Sequence, residues 1–196
     1  MSFFAFVLSL FVVINALGNL PLFIGLLARY DVKTQRRIIL RELTIALFIL
    51  LLFNFFGDVI LRILGISEPI IGIAGGTVLF LIALGMIFPK PHASESPAQE
   101  PFIVPLATPI IAGPGAIAYV MVFAAETQNY WLSTLAIILA WVPSLCILLL
   151  ASNIKYFLGE KGLIACERMG GMIISLIAVQ MFSTGCVKLI KACFFQ

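Results

Sequence analysis

Charged residues fall in a few clusters and leave six uncharged stretches, at 1–28, 43–57, 69–89, 101–125, 127–154 and 169–187. None shows the apolar–polar alternation of barrel strands of about ten residues. A helix crossing hydrocarbon needs roughly 20 residues, with about 17 to 25 the usual range. Five stretches reach that length as they stand. The second reaches it once Asp58 is placed at a membrane surface, giving a span over 43–61. The pattern predicts an all-α integral membrane protein, residues 1–196 forming one membrane domain with six transmembrane helices.

The chain also repeats itself. Gly75-Gly76-Thr77-Val78-Leu79-Phe80-Leu81-Ile82-Ala83-Leu84-Gly85-Met86 returns 95 positions later as Gly170-Gly171-Met172-Ile173-Ile174-Ser175-Leu176-Ile177-Ala178-Val179-Gln180-Met181, identical at six of twelve positions. The same offset carries Gly18 onto Gly113, and a slip of one residue sets Ile63-Leu64-Gly65 on Phe157-Leu158-Gly159. Three spans per copy is an odd number, so the second copy inserts upside down. The expected architecture is a 3+3 inverted-topology repeat, the construction of many secondary transporters. Its parts are a first three-helix repeat (1–88), a Pro-rich cytoplasmic linker (89–101, four prolines in thirteen residues) and a second repeat (102–196).

Composition closes off other classes. The chain is 62% hydrophobic and 11% charged, against about 25% charged in soluble domains, so the lipid bilayer is its solvent. The net charge of +3 is arranged for topology and not for nucleic acid. Nine basic residues lie in the first, third and fifth connections, while only Arg62, Lys188 and Lys191 lie on the other side. Because basic residues stay cytoplasmic, both termini are expected outside the cytoplasm. No Lys or Arg precedes the first apolar run, so a cleaved signal peptide is not expected. The four cysteines show neither a CxxC nor a Cys/His metal spacing, and no cofactor motif is present. The small-residue pairs Gly72/Gly76 and Gly171/Ser175 suit close helix approach. Packing inside the protomer is their expected role, and a homo-oligomer is left open.

Two spans, the first and the fourth, are interrupted near their centres. Asn15-Ala16-Leu17-Gly18-Asn19-Leu20-Pro21 breaks one, and Thr108-Pro109-Ile110-Ile111-Ala112-Gly113-Pro114-Gly115 breaks the other. Proline removes an amide donor and clashes with the carbonyl one turn back. Freed backbone groups at membrane depth are tolerated only where protein or a water-lined cavity satisfies them. A half-helix N-terminus attracts a carboxylate, and freed carbonyls attract an ammonium. The candidate substrate-binding residues are therefore Asn15, Gly18, Asn19, Pro21, Thr108, Gly113, Pro114 and Gly115, with Asn54 and Gln180 as further polar candidates. Such neutral groups suit a small neutral or zwitterionic solute. The competing reading of each break is a simple proline kink, and of each polar side chain an interhelical hydrogen bond.

No acid is expected deep in the bilayer. Asp58 is assigned to a surface pair with Arg62, and Glu42, Glu68 and Glu126 to helix ends. Hydrolysis within the membrane is not expected either: His92, the only histidine, is in the linker, and no HExxH occurs.

At these residues the chain resembles the MarC family of multi-pass bacterial inner-membrane proteins. The resemblance covers nearly the whole length. It rests on Val13 to Pro21, Leu64 to Ser67, Ile73 to Gly76, Leu81 to Leu84, Pro105 to Pro109, Ala112 to Ile117, Arg168 to Gly171 and Ile177 to Gln180. It implies a six-span fold in the plasma membrane and, from some relatives, transport of neutral amino acids. The chain departs from the family pattern at Asn15-Ala16, usually Asp-Pro in relatives, and at Gly85, commonly Asp. A coupling role for those acids is not carried over. The expected function is secondary transport of a small neutral solute; the alternative is a non-transporting scaffold or regulatory protein.

Overall fold

The structure is a computed structural model and describes residues 2–27, 30–88 and 111–194. The Pro-rich linker and Thr108 lie outside the described residues. Among the described residues seven helices follow in order: α1 (Phe3–Ile14), α2 (Leu20–Leu27), α3 (Val32–Leu64), α4 (Glu68–Ile87), α5 (Pro114–Thr127), α6 (Tyr130–Leu149) and α7 (Ala151–Phe194). No strand occurs among the described residues.

The first apolar stretch is two helices. Asn15 ends α1 in the left-handed region (φ 54°, ψ 45°), its amide donating back to the Phe11 carbonyl. α2 starts at Leu20, so Pro21 sits in its first turn, where its missing N–H costs nothing. α3 is longer than the expected span. Its 33 residues extend about 50 Å, well beyond a hydrocarbon core of about 30 Å. Asp31 caps it, accepting from the amides of Lys33 and Thr34, and hydrogen bonding to Thr34 holds its carboxyl below the usual range. Gly65 (φ 67°) closes α3, with Gly65 N donating to Arg62 O and Ile66 N to Leu61 O, a Schellman end.

Among the described residues four helices are long and apolar enough to cross a membrane: α3, α4, α6 and the Asn153–Phe194 part of α7. α1 and α5 are shorter, at 12 and 14 residues. The fifth connection, expected to be a loop, is helical except at Gly159 (φ 66°, ψ 178°). Its Ala, Leu, Glu and Lys residues favour helix, and a glycine is needed only where φ turns positive. Gly65 and Gly159, matched by the repeat, are the two described glycines with positive φ. Cys166 consequently sits on α7.

α4 and α7 form the most extensive interface, and glycine makes it. They run antiparallel: Gly72 lies against Gly185, and Gly171 against Met86. A Cβ on Gly76 would come within 2.8 Å of the Ala178 carbonyl oxygen, and one on Gly171 within 3.1 Å of the Ala83 carbonyl oxygen. Gly76 and Ala83 are the repeat partners of Gly171 and Ala178, so one contact is made twice with the copies exchanged. On its other side α4 meets α5, where Gly75 packs against Ala118. α3 packs on α6, and α1 fits between α5 and α6. Phe6 of α1 stacks on Tyr119 and Phe123 of α5.

The molecule has apolar residues outside as well as in. Phe4, Phe48, Ile63, Leu81, Trp131 and Leu176 are all more than half exposed, a surface that suits lipid and not water. Charges gather at one end, where the Lys188 ammonium of α7 lies 2.8 Å from both Glu68 of α4 and Glu126 of α5. Two expectations are corrected. Asp58 accepts a 2.9 Å hydrogen bond from the Tyr130 hydroxyl, and no Asp58–Arg62 ion pair is among those of the described residues. Glu42 is not at a helix end but inside α3. Its side chain is 1% exposed and is held by Arg41 at 2.7 Å.

Gly76→Leu should destabilise the protein by about 1–3 kcal/mol, the usual cost of overpacking, because the obstacle is backbone. Gly85→Ala, where a Cβ meets open space, should be neutral or stabilise by up to about 1 kcal/mol. Thermal unfolding in detergent tests both, and equal midpoints for the two variants would refute the seam. Lys188→Ala should cost about 1 kcal/mol or less, since the triad is partly exposed and solvent screens it. That loss should shrink at high salt.

Candidate functional site

The five residues between α1 and α2 are held by their own side chains. Asn15 Nδ2 donates to Met86 Sδ at 3.2 Å, and Asn15 Oδ1 accepts from the Gly18 amide at 3.3 Å. Asn19 Nδ2 donates to the Ile14 carbonyl at 3.2 Å, a group stranded by the end of α1. A Cβ on Gly18 would lie 2.5 Å from the Asn15 amide and 2.7 Å from Met86 Cε. A larger residue at Gly18 would therefore have to displace the Asn15 and Met86 side chains.

The second break ends at Gly113, the extended N-cap of α5 (φ −66°, ψ 166°), which has no side-chain cap; Pro114 opens the helix. Among the described residues no side chain caps that end, the electropositive end of a 14-residue helix. Gly115 lets Leu79 of α4 approach to 2.5 Å from where a Cβ would be.

Both breaks border one cavity of about 230 Å³. Asn15, Gly18, Asn19 and Pro21 line it from the first, and Ile111, Gly113 and Gly115 from the second; α4 and α7 close it with Leu79, Ile82, Met86, Glu167 and Ile174. That volume is below the roughly 300 Å³ at which drug-sized pockets begin. Pro114 lies between two lining residues without lining the cavity itself.

The other two candidates are elsewhere. Asn54 is buried between α3 and α6, where its Nδ2 donates to Tyr130 O and Thr134 Oγ1, each at 3.2 Å. Its Oδ1 is buried without a hydrogen-bond partner. Gln180 lines a separate cavity of about 490 Å³ beside the Lys188 triad and donates to Thr184 Oγ1 at 3.1 Å. Among the described residues no cluster of His, Cys, Asp and Glu could hold a metal ion.

Glu167 is the site residue that sequence reasoning passed over, because its neighbourhood read as a connection. The available signal was spacing: Glu167 and Gly170 are three apart, hence on one helix face, and a Cβ on Gly170 would touch Asn15 Oδ1 at 3.0 Å.

The comparisons with known proteins agree with one another. The model of the MarC family of integral membrane proteins matches residues 1–190. The chain belongs to the MarC family. It is 43% identical over 180 residues to the UPF0056 inner membrane protein YhgN of Escherichia coli K12, covering 90% of this chain and 91% of that one. A UPF0056 membrane protein of Buchnera aphidicola from Schizaphis graminum is 38% identical, with 90% and 91% covered. One of Chlamydia trachomatis is 40% identical, with 90% and 89% covered. No solved structure matches. Family and helices together make this MarC member a multi-pass membrane protein.

Asn54→Leu should change stability by no more than about 1 kcal/mol. The interhelical hydrogen bonds lost are worth that order or less in a membrane, and the unpartnered oxygen leaves with them. Thermal unfolding checks this; a loss several times larger would show that Asn54 organises the α3–α6 pair.

Proposed function

We propose that this MarC family member is a secondary transporter of a small neutral or zwitterionic solute, not an enzyme, lying in the plasma membrane with both termini outside the cytoplasm. The observation that carries this reading is the shared cavity: two interruptions far apart in sequence border one small space. An inverted repeat would bring them together, because a two-fold axis in the membrane plane sets equivalent segments face to face. Two further observations support that symmetry. The Gly76–Ala178 and Gly171–Ala83 contacts are reciprocal, and Gly65 and Gly159 share a positive φ. The name of the Escherichia coli relative, an inner membrane protein, supports the location.

The chemistry follows from the walls. The α5 N-terminus suits a carboxylate, and neutral amides and carbonyls suit the remainder of a small polar solute. Transport would rock one half of the molecule against the other around this cavity. One observation favours the alternative, a scaffold: Asn15 and Asn19 already use one side-chain N–H each, on Met86 and Ile14. Those bonds stabilise the break whether or not a ligand comes.

Uptake of labelled glycine and alanine into proteoliposomes separates the two readings. Saturable uptake is expected, and Gly18→Leu or Gly113→Leu should abolish it while membrane insertion persists, because either side chain would fill the space where backbone meets ligand. Folded protein that takes up no amino acid would favour the scaffold.

A further inference from the structure

We infer that Glu167 is the counter-ion of the central cavity and binds an ammonium group of the transported solute, an inference that rests on the carrier reading and deepens it. Of the described residues that line the cavity, Glu167 alone is charged. The two breaks, α2 and α4 face it with Asn15, Asn19, Ile111, Leu22, Met86 and other uncharged groups.

Glu167 also differs from the other acids of the fold. Glu42 is held by Arg41, Glu68 and Glu126 share Lys188, Asp58 accepts from Tyr130, and Asp31 caps α3. Glu160 is simply exposed. Glu167 is only partly exposed, and among the described residues no hydrogen bond or ion pair involves its carboxylate. Arg168 follows it in the chain, but is exposed and makes no ion pair with it among those formed.

An ionised carboxylate withdrawn from water is costly unless a cation or several donors meet it. A hard dication asks for six or more oxygen ligands, and this cavity offers one carboxylate. A primary ammonium offers one positive charge and three donors, and it fits the small volume. The same cavity holds the uncapped α5 N-terminus for the solute's carboxylate. A zwitterion would thus find both its charges answered, by a side chain on α7 and by backbone on α5.

Equilibrium binding to the purified full-length protein in detergent tests this, using alanine, ethanolamine, N-acetylalanine, lactate and glycerol. Alanine should bind, and lactate and N-acetylalanine, which lack the ammonium, should bind roughly tenfold or more weakly, about 1.4 kcal/mol. Glu167→Gln should weaken alanine by a similar factor, and Glu167→Asp, which keeps the charge, should recover much of the affinity. Matched circular dichroism and gel-filtration profiles show that both variants fold. Alanine binding unchanged in Glu167→Gln overturns the assignment, as does N-acetylalanine binding as well as alanine; the carrier reading survives either result. Binding of glycerol or lactate without any amine has the same meaning. A protein that binds none of the five loses the carrier reading and the role of Glu167 together.

Discussion

The close approach of α4 and α7 is the contact on which the remaining geometry depends. In lipid no hydrophobic effect drives helices together, so packing has to come from shape. Gly72, Gly76, Gly171 and Gly185 remove the side chains that would separate the two backbones, and each leaves room for main-chain atoms of the opposite helix. Because Gly76 meets Ala178 as Gly171 meets Ala83, the two copies of the repeated segment form a self-complementary pair. Met86 and Glu167 are carried to the cavity on these two helices, so their position follows from the seam.

The break between α1 and α2 shows how a membrane protein can interrupt a helix at tolerable cost. Every freed backbone group needs a partner when water is absent. Asn19 supplies one for the Ile14 carbonyl, Asn15 supplies one for the Gly18 amide, and Asn15 itself takes the left-handed conformation that short polar side chains tolerate. The second break closes differently, with an extended glycine and a proline at the start of α5. The first break is thus bonded in part by its own side-chain amides, and the second opens on a helix end with no side-chain cap among the described residues. That asymmetry gives the cavity a polarity. Glu167 adds negative charge on the α7 wall.

Two acids illustrate how placement changes chemistry. Glu42 and Glu167 each stand beside an arginine in sequence, and nothing local distinguishes them. In the fold Glu42 is buried and held by Arg41, whereas Glu167 lies on a cavity wall and forms no ion pair among the described residues.

Much of the scaffold was legible in the sequence because lipid imposes a one-dimensional rule: charge-free length predicts a crossing, and glycine with proline predicts an interruption. The apolar stretches, the interruption of the first and the small-residue packing of α4 and α7 all follow from local composition. Where helices end follows less well. α3 runs well past its apolar stretch, and α7 absorbs an expected loop, because polar helix formers continue a helix beyond the lipid at no cost. Which polar residues share a space is not local at all. Asn54 and Asn15 are both candidate polar residues of apolar stretches, yet one bonds α3 to α6 and the other borders the cavity. Only the antiparallel seating of α4 on α7 decides this, because it sets the depth at which each side chain meets residues distant in sequence.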